Sequence, residues 1–304
     1  MILCAGEALI DMLPRQTAQG ENAFAPHAGG AVFNTAIALG RLGAPVQFFS
    51  GISSDLFGDV LRGELDRSKV DSSPAAISDR PTTLAFVTLT DGHASYAFYD
   101  ENTAGRMITP DDLPKVSPAA VFVGGISLAV EPCAATYEAL VQAHTSDAVV
   151  MMDPNVRPGF IKDEARYRAR IGRMIDQADI VKLSDEDLAW FMPDESTEDA
   201  AHRLVEDGVK LLCVTEGAKG VTGYSPDHTV FVTAEKATVV DTVGAGDTFN
   251  AGVLASLHAA GALTKARIAA LDEQTIADAL AYGAKVAAIT VARAGANPPW
   301  TSEL

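Results

Sequence analysis

The chain has 304 residues, of which 48% are hydrophobic, enough to bury a core in one large α/β domain or two small ones without disulfides or metals as staples. Lys and Arg number 23 against 40 Asp and Glu, and the resulting net charge of −17 argues against nucleic acid or an anionic membrane as partner. Any anionic ligand must then be held by local donors, a few placed cations and Mg²⁺, because the global field is unfavourable.

The three cysteines, Cys4, Cys133 and Cys213, lie far apart with no C-x-x-C pair, each in or beside an apolar segment, which fits a reducing cytosol. No basic segment followed by a hydrophobic stretch opens the chain, and no apolar run approaches the ~18 residues a membrane span needs. A soluble, cytoplasmic protein is expected.

In chain order, ILCAGEALIDML reads as a buried strand ending near Asp11, and GGAVFNTAIALGRLG as a helix with a glycine-rich start and Gly43 as its stop. PVQFFSGI reads as a second strand and FGDVLRGELDRS as a helix. AAVFVGGISLA is then a strand, PCAATYEALVQAH a helix from Pro132, AVVMMDP a strand, EARYRARIGRMIDQA a helix and DIVKLS a strand. DEDLAWFM and TEDAAHRLVEDG read as helices, VKLLCVTEG and ATVVDT as strands, FNAGVLASLHAAG as a helix, and QTIADALAYGAKVAAITVARAG as a long closing helix. Strands alternating with helices imply a mostly parallel sheet covered on both faces.

One segment breaks this rhythm. TTLAFVTLTDGHASYAFYD is two runs of alternating polarity joined through Asp91-Gly92, a hairpin signal. MLPRQTAQGENAFAPHAGG is likewise polar and extended. These insertions, around 12–28 and 82–105, are expected to pair into a small antiparallel flap, which reads either as a lid that excludes water or as a surface ribbon. No internal repeat, low-complexity tract or linker interrupts the chain.

There is no G-x-x-x-x-G-K-[ST] phosphate loop, no G-x-G-x-x-G after the first strand and no G-x-S-x-G elbow. The six histidines show no metal-ligand spacing, so zinc is not expected. What remains is polar groups at expected strand ends, where open α/β sheets bind their ligands: Asp11, Asp153 to Arg157, Lys182 to Asp187, Thr215 to Gly220 and Asp241 to Asp247. Singly, each has a plainer reading. Asp11 suits a turn, Asn34 a solvent-facing helix position, Arg157 a surface cation and TEGAKG a hairpin turn.

DTVGAGDTFNAG is the sharpest local signal. A helix that starts here leaves its first N–H groups unpaired and aims them, with the positive end of the helix dipole, at one point. Gly244 and Gly246 let the chain turn tightly and a ligand approach without meeting a Cβ, which suits phosphate. Asp247 reads either as a first-turn acid complementing the dipole or as a carboxylate with chemistry to do.

GGAVFNTAIALGRLG together with DTVGAGDTFNAG resembles the paired signatures of the PfkB-type (ribokinase-like) carbohydrate kinases. The order of elements, the insertions, DPNVR, KLSDED and VTEGAKG follow that family over essentially the whole chain. The resemblance implies a ribokinase-like three-layer α/β/α domain over 1–304, with a mostly parallel central sheet and a small β-sheet lid. It implies ATP-dependent phosphorylation of a sugar hydroxyl, most like a fructokinase. The alternatives are a 2-keto-3-deoxygluconate kinase, a nucleoside kinase whose lid offers Phe86, Tyr96 and Phe98 to a base, or a silent sugar- or nucleotide-binding sensor.

On that resemblance Asp247 is the base, with Gly244, Ala245, Gly246 and Arg157 stabilising the transferring phosphoryl group. Asp11, Gly29, Gly30, Asn34, Phe98 and Asn155 meet the sugar, while Lys182, Ser184, Thr215, Gly217, Gly220 and Asn250 meet ATP. Asp187 and Glu186 are implied to hold Mg²⁺ through water, and Asp241 and Thr242 a monovalent cation such as K⁺. A homodimer pairing lid to lid is a further expectation. Three departures stand out: Ser184-Asp185-Glu186-Asp187 replaces N-x-x-E, Phe98-Tyr99-Asp100 lacks the arginine of many fructokinases, and Val32 replaces a proline. Asp100 is read as mildly disfavouring a sugar acid.

Overall fold

In chain order, β1 (Ile2–Ala5) is followed by a hairpin of β2 (Leu9–Gln16) and β3 (Asn22–Gly29), and then by α1 (Ala31–Arg41). β4 (Val46–Phe49), β5 (Gly51–Ser53), α2 (Leu56–Arg67) and β6 (Ala76–Ser78) lead to β7 (Leu84–Thr90) and β8 (His93–Tyr99). Next come β9 (Ala120–Gly124), α3 (Cys133–His144), β10 (Val149–Asp153), α4 (Glu164–Ile175), β11 (Ile180–Ser184), α5 (Asp185–Phe191) and α6 (Thr197–Glu206). β12 (Leu211–Thr215), β13 (Gly220–Tyr224), β14 (Thr229–Thr233), α7 (Ala245–Ala259), α8 (Lys265–Ile268) and α9 (Glu273–Val291) close the chain. This computed structural model describes residues 1–90 and 93–304, and the side chains of 88–90 and 93–96 are outside the description. The expected Asp91-Gly92 turn and the Tyr96 side chain therefore lie outside the described residues.

Among the described residues the central sheet has eight strands in the order β14-β13-β12-β11-β10-β9-β1-β4. From β12 to β4 the pairings are parallel, and β13 and β14 add an antiparallel edge. Successive strand residues face opposite layers. Ile2, Cys4, Phe122, Met151 and Cys213 pack with Phe33 of α1, Val253 of α7 and Leu280 of α9. Leu3, Ala5, Val123, Met152 and Leu212 pack with Tyr137 of α3, Ile171 of α4 and Leu204 of α6. Each fully buried Val, Leu, Ile, Phe or Met side chain among them contributes about 1.5–3 kcal/mol, so both faces must be covered.

β1 lies between β4 and β9, so the chain leaves it toward one side and returns to fill the other. Ligand crevices form at such a switch point, outside the carboxyl ends of the strands. Above it lies a second sheet, β3-β2-β7-β8. Two antiparallel hairpins are joined by parallel pairing of β2 with β7, so the sheet is mixed where a purely antiparallel flap was expected. In its register Asp11 is opposite His27 and Ala85, and Ala85 is opposite Phe98, which puts Asp11 and Phe98 on one face.

Three sequence expectations need correction. ILCAGEALIDML is two strands in two different sheets, because the chain turns at Gly6 and Glu7. PVQFFSGI likewise breaks at Ser50, and β5 pairs with β6 outside the central sheet. ATVVDT forms no strand: Val239 and Val240 are exposed, and the N–H groups of Val240 and Asp241 both donate to the Val291 carbonyl at the end of α9. β-Branched propensity does not make a strand where the backbone N–H groups are taken up by a helix end.

Candidate active site

α7 starts on Gly244, whose left-handed backbone (φ 78°) turns the chain sharply into the helix. A Cβ at Gly244 would meet Ala296 Cβ at 2.6 Å. The Ala245 N–H leans on the Thr242 carbonyl at 3.3 Å, so Gly246 and Asp247 carry the first-turn N–H groups that remain for an anion. Beneath the turn sits Lys182, whose Nζ would be 3.1 Å from a Cβ on Gly246.

Asp247 is buried, and its Oδ2 accepts the Asn34 amide at 2.9 Å. Thr35, next along α1, donates to the Asp247 carbonyl at 3.0 Å. Burial, chiefly, pushes the Asp247 carboxyl up to about 7; the Asn34 hydrogen bond and the Lys182 charge oppose the rise, and the Asp153 and Glu7 charges add to it. Asp11, across the crevice on β2, is raised to about 6 by burial. A Cβ on Gly29 would strike Asp11 Oδ2 at 2.3 Å, so glycine is needed there for the carboxylate to keep its place.

Lys182, the middle residue of β11 and not a strand-end group as its segment suggested, is buried and pairs with Asp153 Oδ2 at 3.1 Å. The same oxygen accepts the Asn250 amide from α7 at 2.7 Å, while Asn250 Oδ1 is buried without a hydrogen-bond partner. Burial would lower the Lys182 pKa, but the Asp153 and Asp187 charges outweigh it and hold it raised. The ammonium under the turn therefore stays charged.

A cavity of about 560 Å³ joins Asp11, Gly30, Asn34, Phe98, Asn155, Arg157, Thr242, Gly244, Ala245, Gly246 and Asp247. Glu7, Ile126, Phe160 and Val243 also line it and were not singled out from sequence. Phe98 meets Phe160 edge to face at 4.8 Å. Arg157 is exposed at the rim and donates to the Val156 carbonyl at 2.9 Å. Asn155, at φ 45°, takes its N–H to Asp153 Oδ1.

Other expected residues lie elsewhere. Asn250 is 1% exposed and faces Asp153, not the cavity, so the structure gives it no ligand face. Ser184 caps α5, its hydroxyl accepting the Asp187 N–H, while Asp187 Oδ1 accepts the Val156 N–H. Burial and the Asp153 charge raise the Asp187 pKa. Glu186 is exposed beside it. Among the described residues no group of three or more His, Cys, Asp or Glu is placed to hold a metal ion. Thr215, Gly217 and Gly220 lie on the β12–β13 hairpin, and a Cβ on Gly220 would strike the Val232 carbonyl at 2.2 Å, which explains that glycine structurally. Asp241 accepts the N–H groups of Val243 and Gly295, tying the loop before α7 to the one after α9.

Asp100 is not a free negative charge. It pairs with Arg106 at 3.2 Å, which removes the argument it gave against an acidic substrate.

Comparison with known proteins follows the same lines. Residues 1–303 match the model of the pfkB family carbohydrate kinases. A fructokinase of Rhizobium leguminosarum bv. trifolii is 56% identical over 278 residues, spanning 91% of this chain and 85% of that protein. The crystal structure of a Xylella fastidiosa fructokinase with bound ATP superposes with a TM-score of 0.89 at 30% identity, covering 97% of this chain and 93% of the other. A Vibrio cholerae O395 fructokinase with fructose, ADP and calcium ion bound gives 0.85 at 26% identity, covering 97% and 94%.

Proposed function

This chain belongs to the pfkB family of carbohydrate kinases, and from that premise we propose that it transfers the γ-phosphate of ATP to a hydroxyl of free fructose. The observation that carries the reading is the meeting, in one cavity, of a buried carboxylate with the glycine turn at a helix start, facing a second carboxylate on another sheet. The fructokinase relative at 56% identity supports fructose as the acceptor.

The hydroxyl docks between Asp11, Asn34 and Asp247. Asn34 holds one carboxylate oxygen of Asp247, leaving the other to accept the hydroxyl proton as the oxygen attacks the γ-phosphorus and ADP departs. Charge developing on the transferring group meets the N–H groups of Gly246 and Asp247, with Lys182 beneath and Arg157 at the rim. Mg²⁺, when bound with the nucleotide, supplies charge neutralisation on the phosphates. Both Asp187 oxygens already accept backbone N–H groups, which fits contact through water with Glu186 beside it and not direct ligation. Asp241 and Thr242 are the proposed K⁺ site, where a cation would stiffen the loop leading into α7.

The small sheet acts as a lid over the sugar, and residues 1–304 act as one domain. On its outer face Phe24 and Tyr99, 42% and 63% exposed, meet Phe86 edge to face at 5.0 and 5.4 Å. An apolar face of this kind supports a homodimer formed through the lid; light scattering that finds a monomer at working concentration counts against it. No described helix is long and apolar enough to cross a membrane, and the three free buried cysteines support a cytoplasmic setting.

The test is ADP release with Mg-ATP across fructose, 2-keto-3-deoxygluconate, ribose, glucose, tagatose and adenosine, each with and without K⁺. Selective turnover of fructose supports the proposal. Preference for the keto-acid keeps the mechanism and moves the substrate, and silence across the panel moves the reading to a rarer sugar or to a silent sugar- or nucleotide-binding sensor.

A further inference from the structure

Glu7 stands at the switch point, just beyond β1, and was invisible as a functional residue in the run ILCAGEALIDML. It is 8% exposed, yet it lines the cavity. Its Oε1 accepts the N–H of Ala31, the first residue of α1, at 3.0 Å. Its Oε2 accepts the N–H of Ser127, in the turn that follows β9, at 3.3 Å. One carboxylate therefore joins the two loops that part at the sheet's switch point.

The backbone is shaped around this side chain. Gly125 has φ 70°, and a Cβ there would lie 2.0 Å from Glu7 Oε1. Gly30 has φ 112°, and a Cβ there would lie 2.8 Å from the Glu7 carbonyl. Two glycines in conformations that other residues rarely adopt thus enclose one acid. A buried carboxylate is costly unless its oxygens are satisfied, and here backbone N–H groups from both loops satisfy them.

The consequence reaches Asp247 through α1. Ala31 opens the helix whose next turn carries Asn34 and Thr35, and these two hold the Asp247 carboxylate and carbonyl. We propose that Glu7 is a positioning residue: its buried carboxylate ties the start of α1 to the turn after β9, and so sets where Asn34 presents Asp247 to the sugar hydroxyl. This rests on the reading of Asp247 as the base. A displacement of about 1 Å at a reacting centre costs on the order of 100-fold in rate, so a clamp one helical turn away has kinetic weight.

Glu7→Gln keeps the volume but leaves one acceptor oxygen for two N–H donors. Gly125→Ala keeps the carboxylate but drives a methyl into its place. Both variants, and the pair together, are compared with the wild type for kcat, for KM of sugar and ATP separately, and for hydrogen exchange at the Ala31 and Ser127 amides. Glu7→Gln is expected to lower kcat by roughly 10- to 100-fold, to leave the ATP KM within about twofold, and to speed exchange at both amides. The double variant should be little worse than either single one, since both break the same clamp. Should Gly125→Ala not fold, Glu7→Gln decides alone.

A kcat within about twofold of wild type overturns the proposal, as does a loss spread equally over the ATP KM and thermal stability, which marks general loosening. Unchanged exchange at the two amides also overturns it. Failure of the base reading is separately visible, because Asp247→Asn would then retain turnover whatever Glu7 does.

Discussion

Asp247→Asn should make the protein inactive and, at alkaline pH, more stable. The wild-type carboxyl titrates near 7 in the fold against 3.8 in the unfolded chain, with burial as the main cause. Between those values the folded state keeps a proton that the unfolded state has lost. The stability due to that proton is full below about pH 4 and is gone once pH has risen through 7. At 1.36 kcal/mol per pH unit the loss is roughly 4 kcal/mol by pH 8. The amide carries no charge to bury, and its oxygen can still accept the Asn34 N–H, so the variant escapes this loss. At about 2 °C per kcal/mol for a chain of this size, it should melt several degrees above wild type at pH 8 and level with it near pH 4. Turnover at pH 8 should fall by about 100- to 10,000-fold. Scanning calorimetry from pH 4 to 8, beside an ADP-release assay, reads both. A variant that melts no higher than wild type at pH 8, or whose advantage persists on acidification, refutes the buried-charge account; near-normal turnover removes Asp247 from the role of base.

Two further outcomes follow from the groups beneath the turn. Lys182→Met strands the buried Asp153 carboxylate with Asn250 as its remaining side-chain donor and should cost about 3–5 kcal/mol in urea unfolding, most of it recovered when Asp153→Asn is added. Gly246→Ala places a methyl 3.1 Å from Lys182 Nζ and crowds the helix start proposed to hold the phosphates, so nucleotide affinity by calorimetry should fall about tenfold or more while sugar binding persists.

The layered sheet was legible because its strands are apolar on both sides, and helices between them can only cover it. The hairpin insertions were legible from a polarity period of two, and the glycine turn from its unpaired N–H groups. What pattern reading missed are pairings across distance. Asn34 and Asp247 are 213 residues apart, and Asn250 and Asp153 are 97 apart, so no local signal says that the first pair builds the proposed base and the second a support. Asn250, given to the nucleotide by resemblance, is buried for that reason. ATVVDT misled because β propensity describes a residue on a sheet, and the N–H groups of Val240 and Asp241 turn to the end of α9 instead. Glu7 had one visible trace, an acid inside an apolar run, which marks either a break or a purpose and here marks both.

A chain with net charge −17 binding a nucleotide poses an electrostatic problem, and the buried groups state it locally. Around the turn the buried ammonium of Lys182 meets the charges of Asp153, Asp187 and Asp247, and Glu7 adds its own beside Asp247. Exposed charges are screened within a Debye length of about 8 Å, but these are not. An arriving phosphate adds negative charge beside Asp247, whose pKa already stands near 7, and must raise it further. Metal-free ATP, whose γ-phosphate is the group read as lying beside Asp247, should therefore bind weakly at pH 8, more tightly as pH falls through 7, and with uptake of a proton. Calorimetry in buffers of different ionisation enthalpy reads that uptake directly. With Mg²⁺ present the added positive charge should shrink or abolish it. Metal-free binding that is independent of pH and releases or takes up no proton would mean that the phosphates do not sit beside Asp247, and that the helix start at Gly244 is not the anion site.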